Sequence, residues 1–500
     1  MGTVSCKSPV SRQKSDDLDW QDPLRSKAAS SSSALSPSRL EEVLASFDLA
    51  LDKRNIVVRL TSGSTDLCGY SLFDRTPVQV KAELVASAAS DLALNRMMGS
   101  MVGMAVGDAL GHPFEFINAT DTRSKRHFFD LGTFSFHGEL NRFRLQRGQW
   151  TDDASMGLCM ADSLILRRRL DGGDMRIRFW CWWNRGYNNA FRKDSSRGSS
   201  VGLGGNIAKS LSALTRVRSG EPVPPKYEAR TEDSGNGSLM RLAPVALFFQ
   251  DCHVDELREQ ARLSSYTTHP GMMAAEACAF LAFLIARAIH LPAGPVRAKE
   301  FLDEAAAEYY DLAGLSKKSG WVWDQIKWLV TGKPVHPTES CWDWRRPKQQ
   351  AIEATLRARG FTYNGYPVSA EYFGAFALDG LALALWAVYN TESFDEAVVC
   401  SVNFCGDADS HGSITGQLAG ALYGYTSIHT QFRKWLTKWD DHDFAVRALL
   451  LHHVGSQREP STAMMPTKSV TDDALAVKVP SNGRNGIALE RAHTIATSRA

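Results

Sequence analysis

None of the nine cysteines belongs to a CxxC pair. Their number is odd, and several members of the set (Cys6, Cys68, Cys159, Cys181, Cys252, Cys278, Cys341, Cys400 and Cys405) lie inside apolar helical patterns. That is the usage of reduced thiols, so an intracellular, cytoplasmic protein is expected. A surplus of either charge is missing too. With 57 basic against 55 acidic residues the net charge is +2, and the basic residues are scattered apart from Arg167-Arg168-Arg169. No nucleic-acid-binding face is expected. Long uncharged apolar runs are also absent. The most apolar stretches, 274–289 and 381–389, are short, and the first carries Glu276 and Arg287, so no membrane span is expected. The first 30 residues are polar and carry both signs of charge, without the pattern of a signal peptide. No internal repeat and no series of period-2 segments is found, which argues against a solenoid and against a sheet architecture.

What remains is a chain of 500 residues with 44% apolar content, enough for a large core. Residues 1–38 are rich in Ser, Lys, Arg and Asp and are expected to be disordered. The start Met1-Gly2-Thr3-Val4-Ser5-Cys6 grazes the myristoylation pattern, which wants Ser or Thr where Cys6 stands. Residues 39–90 form an extension of unknown role, with a possible helix over 40–51 and a β-branched run Ile56-Val57-Val58. A flexible tail is expected over 457–500. Between these, 91–456 is predicted to be all-α. Apolar or small residues recur at three- and four-residue spacing over 92–110, 153–170, 239–249, 271–288, 297–312, 371–389 and 412–425. Glycines crowd Gly103-Met104-Ala105-Val106-Gly107 and Gly416-Gln417-Leu418-Ala419-Gly420, where backbones can pack closely. An orthogonal multi-helix bundle is the predicted fold.

Two acidic clusters carry the chemistry: Trp150-Thr151-Asp152-Asp153-Ala154-Ser155 and, roughly 250 residues later, Gly406-Asp407-Ala408-Asp409-Ser410. Each opens a predicted helix, where negative charge is tolerated and backbone N–H groups are free. Four carboxylates and two hydroxyls suit a hard cation such as Mg²⁺ or Mn²⁺. Taken alone, Thr151-Asp152-Asp153 also reads as a plain helix N-cap. The second cluster, continued through His411-Gly412-Ser413-Ile414, begins like an EF-hand loop, but Leu418 stands where that loop needs its bidentate glutamate. Further motifs accompany them. Gly107-Asp108-Ala109-Leu110-Gly111 ends a helix and is followed by Glu115; Asn236-Gly237-Ser238-Leu239-Met240-Arg241 offers amides to a phosphate or sugar. Gly202, Gly204 and Gly205 precede a helix without the strand of a dinucleotide fold, and His269 sits at a helix entrance.

The order and spacing of these pieces, ending in Gly416-Gln417-Leu418-Ala419-Gly420-Ala421-Leu422-Tyr423-Gly424, resembles the ADP-ribosylglycohydrolase family over about 95–424. The resemblance implies an all-α hydrolase with two Mg²⁺ ions that removes ADP-ribose from a modified protein or small molecule. It implies Thr151, Asp152, Asp153, Asp407, Asp409 and Ser410 as metal ligands. Asn236, Gly237, Ser238, His269, Gly202, Gly204 and Tyr366 become substrate-binding residues, with Asp407 and Glu115 catalytic. Three features depart from the family pattern: Ser410 in place of threonine, His411 after it, and a tryptophan-rich stretch with Trp321, Trp323, Trp328, Trp342 and Trp344. Asp407 is the first choice for the carboxylate that positions or deprotonates water, with Glu115 second. The expected activity is Mg²⁺-dependent cleavage of ADP-ribosyl-arginine by a monomer. The alternatives are an inactive binding protein on the same fold, a metal-independent glycosidase, or a hydrolase of a serine-linked or small-molecule ADP-ribosyl bond.

Overall fold

The helices Leu92–Gly111 and Ala408–Tyr423 run antiparallel at backbone contact. Four-residue spacing puts Gly99, Gly103, Gly107 and Gly111 on one helix face, and they meet Gly420, Gly416, Gly412 and Ala408 in reverse order. A Cβ added at Gly103 would stand 2.1 Å from the Gly416 carbonyl oxygen, and one at Gly416 only 1.9 Å from that of Gly103. At Gly107 and Gly111 the same test meets the carbonyls of Gly412 and Ala408 at 2.1 and 2.2 Å. No side chain fits at any of these glycines. Both glycine clusters that the sequence marks as close-packing therefore pack against one another. The first helix starts where the Asp91 side chain accepts the N–H of Leu94, and it gives way at His112-Pro113-Phe114 to a single 3₁₀ turn.

This computed structural model describes residues 22–25, 35–47, 49, 70–119, 126–217, 221–229, 233–347 and 351–458. Among them the regular structure is helical, apart from two short antiparallel hairpins, Phe128–Asp130 with Ser135–His137 and Thr362–Tyr363 with Tyr366–Pro367. Around the seam pack Asp152–Arg167, Ala243–Phe248, Met272–Ile289, Ala377–Tyr389, Phe394–Val402 and Asp443–Ser456. The all-α bundle is as expected. Met272–Ile289 is long and apolar enough by composition to cross a membrane, and 89% of it is buried inside the bundle. Its two charges are satisfied within the protein. Arg262 bonds Glu276 at 2.6 Å and Arg287 bonds Glu308 at 2.8 Å.

Three predicted helices shift for identifiable reasons. The helix predicted over 239–249 is shorter, Ala243–Phe248, and follows a separate 3₁₀ turn Asn236–Ser238, because Pro244 belongs in a first turn. The 371–389 segment breaks at Gly374, held at φ 103°, so the helix begins at Ala377. The last one begins at Ala408 rather than 412, which puts Asp409 and Ser410 in its first turn and leaves no EF-hand loop.

The N-terminal residues that are described contribute to the same core. Asp22 forms a buried ion pair with Arg433 at 2.9 Å, and Pro37–Ala45 buries Leu40 and Val43 where a helix over 40–51 was predicted. Val78–Ala88 buries Leu84 and Val85, and its Lys81 bonds Asp443 at 2.8 Å. The segments 1–6, 56–58 and 459–500 lie outside the described residues.

The seam makes a direct prediction. Gly103→Ala pushes a methyl into backbone, and overpacking of this kind costs about 1–3 kcal/mol. Gly205→Ala, where a Cβ would meet nothing within 4 Å, is the control and should be neutral or slightly stabilising. Thermal melts of both variants check this, and equal melting temperatures would contradict the close approach.

Candidate metal centre and active site

The seam brings two ends of the chain together at one point. From the end of Leu92–Gly111 comes Asp108, wholly buried, and beyond the 3₁₀ turn comes Glu115. From the start of Ala408–Tyr423 come Asp407 at the N-cap and Asp409 in the first turn. Asp108 then recruits the other acidic cluster. Its carboxylate accepts the Thr151 N–H at 2.9 Å, the Thr151 hydroxyl at 2.9 Å and the Ala154 N–H at 3.0 Å. Thr151 makes no capping bond to its own helix, so Asp108 caps Asp152–Arg167 from outside. The N-cap reading of Thr151-Asp152-Asp153 is thus correct in position, with the capping group supplied by another helix.

Glu115, Asp407 and Asp409 each place a carboxylate oxygen within 4.8 Å of the others. Asp152 and Asp153 face the same centre: the Asp409 charge helps to raise Asp152, that of Asp407 helps to raise Asp153, and that of Asp153 helps to raise Asp409. Burial is the first cause throughout, and like charge the next except at Asp407, where hydrogen bonds, that of Asn236 foremost, oppose burial. It lifts Asp108 to about 7 and holds Glu115, Asp152, Asp153 and Asp409 well above the usual carboxylate range, with Asp407 also raised. Two buried oxygens, Glu115 Oε2 and Asp153 Oδ1, have no hydrogen-bond partner among the described residues. Buried, mutually repelling carboxylates with free oxygens are what a hard cation satisfies, so this donor set fits a divalent metal. Asp407 and Asp409 belong to this group, the Thr151 hydroxyl bonds Asp153 at 3.1 Å, and the Ser410 hydroxyl lies 3.6 Å from the Met240 sulfur. Glu115 is part of the same carboxylate group.

The other expected site residues separate into distinct places. Asn236 turns its amide inward and spends both protons, on the Gly374 carbonyl at 2.9 Å and on Asp407 Oδ2 at 2.6 Å. It orients the proposed catalytic carboxylate, which the sequence did not suggest. Gly237 lies against His269, where an added Cβ would come within 2.8 Å of the ring. The Ser238 hydroxyl departs from its expected role. It meets Ser265 at 2.9 Å and Cys278 at 3.4 Å, buried in the core, rather than a ligand. His269 is buried and held down to about 3 by burial and by Arg241, so its imidazole is neutral. Gly202 sits at φ 92°, and a Cβ there would stand 2.1 Å from Asp152 Oδ1, so only glycine lets that loop close on the metal centre. Gly204 caps Gly205–Ala213, in comparatively open space. Tyr366 bonds Asp233 and takes a bond from Asn206 at 3.1 Å.

Asp108, which positions the Thr151 turn, and Asn206 and Asp233, which hold Tyr366, were not singled out from the sequence. The first stood inside a motif already singled out, four residues before His112, and its outward signal was a carboxylate inside an apolar helix. His411, a departure from the family pattern, is structural. Its Nδ1 meets Ser401 at 3.0 Å and its Nε2 the Cys405 carbonyl at 2.8 Å, and burial lowers it to about 4.

The family profile described as ADP-ribosylglycohydrolase matches residues 89–459. The chain belongs to this family. Among similar proteins, the ADP-ribosylarginine hydrolase Tri1 of Serratia proteamaculans (strain 568) is 28% identical over 349 residues, covering 69% of this chain and 75% of that protein. The ADP-ribosyl-[dinitrogen reductase] glycohydrolase of Rhodospirillum rubrum is 23% identical, covering 69% and 90%. Human ADP-ribosylhydrolase ARH3 is 23% identical, covering 71% and 93%. Membership makes this chain a glycohydrolase enzyme, with the carboxylate cluster at its centre.

The raised carboxylates set the pH dependence of the metal-free enzyme. A carboxyl whose native pKa exceeds its unfolded value stabilises the fold below the unfolded pKa, and that stability is lost as pH rises through the native one. Four buried histidines with lowered pKa, His112, His269, His411 and His442, act in the opposite sense, but only below about 6.5. Above about pH 6.5 the carboxylates dominate. The metal-free melting temperature should fall there with rising pH, and Mg²⁺ should raise it most at the alkaline end. Calorimetric melts with and without Mg²⁺ check this. A Mg²⁺ effect that shrinks with pH would contradict it.

Proposed function

We propose that this enzyme hydrolyses the N-glycosidic bond between ADP-ribose and arginine on modified proteins, with two Mg²⁺ ions as cofactor. The observation that carries the reading is the convergence of Glu115, Asp407 and Asp409 with the Thr151–Asp153 turn. The name ADP-ribosylarginine hydrolase, borne by relatives 28% identical, supports the acceptor. So does the electrostatics, because a cluster this acidic favours a cationic guanidinium over a neutral serine oxygen. Relatives named ADP-ribosylhydrolase ARH3 favour the second reading, another ADP-ribosyl linkage.

Thr151, Asp152, Asp153, Asp407, Asp409 and Ser410 would hold the ions, which supply Lewis acidity toward the ribose oxygens. The chain's own residues do the rest. Asp407, with one oxygen fixed by the Asn236 amide, orients water and takes its proton. Positive charge grows at the anomeric carbon as the acceptor leaves, and the surrounding carboxylates stabilise it. Glu115 reaches the same centre from the opposite loop and is the second choice for the base. Neutral His269 and the Gly202 loop form the ADP-ribose side, with Gly204, Gly237 and Tyr366 nearby. The seven described cysteines are free thiols, which supports an intracellular, cytoplasmic setting. We take the enzyme to act as a monomer, with 91–456 as its catalytic region.

Incubation with arginine-linked and serine-linked ADP-ribosyl substrates, with and without Mg²⁺, tests the reading. Release of ADP-ribose from the arginine-linked substrate, dependent on Mg²⁺, is expected. Asp407→Asn should slow it by about 10²–10⁴-fold with helix content intact. Activity that survives chelation, or is confined to the serine linkage, would overturn the reading.

A further inference from the structure

An aromatic corner beside the carboxylates has no part in the chemistry above. Phe116 follows Glu115 directly and sits at φ 67°, a left-handed conformation that is an outlier for a bulky side chain. Two backbone bonds hold it against the segment before Asp407: its N–H donates to the Gly406 carbonyl at 2.9 Å, and the Gly406 N–H donates to Ile117 at 2.7 Å. From the other side, the Phe373 carbonyl accepts the Asp407 N–H at 3.0 Å, which fixes Tyr372 beside the same turn. The two rings meet edge to face, with centroids 5.4 Å apart and planes at 73°. Tyr372 is 49% exposed, and its phenol pKa is raised first by burial, which Arg142 opposes and the charges of Glu115 and Asp407 reinforce. The corner already carries a guanidinium. Arg142 lies with its Cζ 4.7 Å from the Phe116 centroid, and no carboxylate pairs with it among the described residues.

We propose that Phe116 and Tyr372 form the acceptor subsite, which holds the planar guanidinium of ADP-ribosylated arginine against the ring faces while Glu115 takes its N–H edge. Arg142 fills this subsite in the free enzyme. The inference rests on the arginine reading of the previous subsection. Its physical basis is general. A guanidinium is a flat, weakly hydrated cation that stacks on aromatic faces and bonds carboxylates through its edge. A serine oxygen has neither charge nor plane. Strained backbone persists where surrounding structure over-determines it, and the two bonds to the Gly406 segment over-determine Phe116.

The test compares the full-length enzyme with Tyr372→Ala, Tyr372→Phe and Arg142→Ala. It measures KM for an arginine-linked substrate and, by calorimetry, Kd for free ADP-ribose, which lacks the acceptor. Tyr372→Ala should raise KM relative to Kd by between about twofold and thirtyfold, the range a cation–π contact supplies. Tyr372→Phe should restore it. Arg142→Ala should shift KM the other way, downward. A Tyr372→Ala variant whose KM and Kd move in parallel, or not at all, overturns the subsite. Agmatine, a free guanidinium probe, separates the two claims. Should the wild-type enzyme cleave no arginine-linked substrate, the arginine reading fails. The corner then stands only if agmatine binds and Tyr372→Ala abolishes that binding, and no binding overturns it as well.

Discussion

Backbone contact between the Leu92–Gly111 and Ala408–Tyr423 helices is the constraint on which the rest of this structure depends. With carbonyl oxygens occupying the space of absent side chains at Gly99, Gly103, Gly107 and Gly111, the register of one helix on the other has no freedom to slide by a residue. Fixing that register fixes Asp108 and Glu115 against Asp407 and Asp409. Asp108 in turn captures the Thr151 turn, so a single packing decision gathers three separate segments. The arrangement opposes folding electrostatically, because carboxylates that bury one another's charge destabilise the empty site. A large apolar core offsets this, and a bound cation removes the conflict.

The helix that carries Asp152 and Asp153 is held a second time, farther along. Asp162 on that helix accepts from Arg447 at 2.8 Å, from Tyr187 at 2.5 Å and from Asn188 at 2.8 Å. Arg447 belongs to Asp443–Ser456, whose Asp443 also receives Lys81 and the Ser71 hydroxyl, the latter at 2.6 Å. The field of Lys81, Arg192 and Arg447 outweighs burial and keeps Asp443 ionised, well below the usual carboxylate range. Charges this deep are costly to leave unpaired, so removing one member disturbs more than its own bond. Residues ahead of the family match thereby help to brace the helix that opens with Asp152 and Asp153.

Much of this was legible in the sequence. Both acidic clusters, both glycine clusters and the long helices show themselves through local pattern, which is what residue spacing records. What stayed hidden depends on partners distant in the chain. Asn236 reads as a ligand amide because its motif starts a turn, and only the fold reveals that both its protons go to Gly374 and Asp407. Ser238 reads the same way for the same reason, until Ser265 and Cys278 are found around it. The break at Gly374 was missed because apolar spacing continues across it, although the freed carbonyl is what Asn236 binds. Asp108 is a capping residue for a helix 43 residues away, a relation that no local pattern encodes.

The claim that the seam assembles one cation site from two distant acidic segments is tested most directly by anomalous diffraction from crystals of the full chain soaked in Mn²⁺. Two peaks about 3.5–4 Å apart, within bonding reach of the Thr151–Asp153 turn on one side and Asp407 and Asp409 on the other, are expected. Ions bound at only one of the two segments, or none at either, would contradict it.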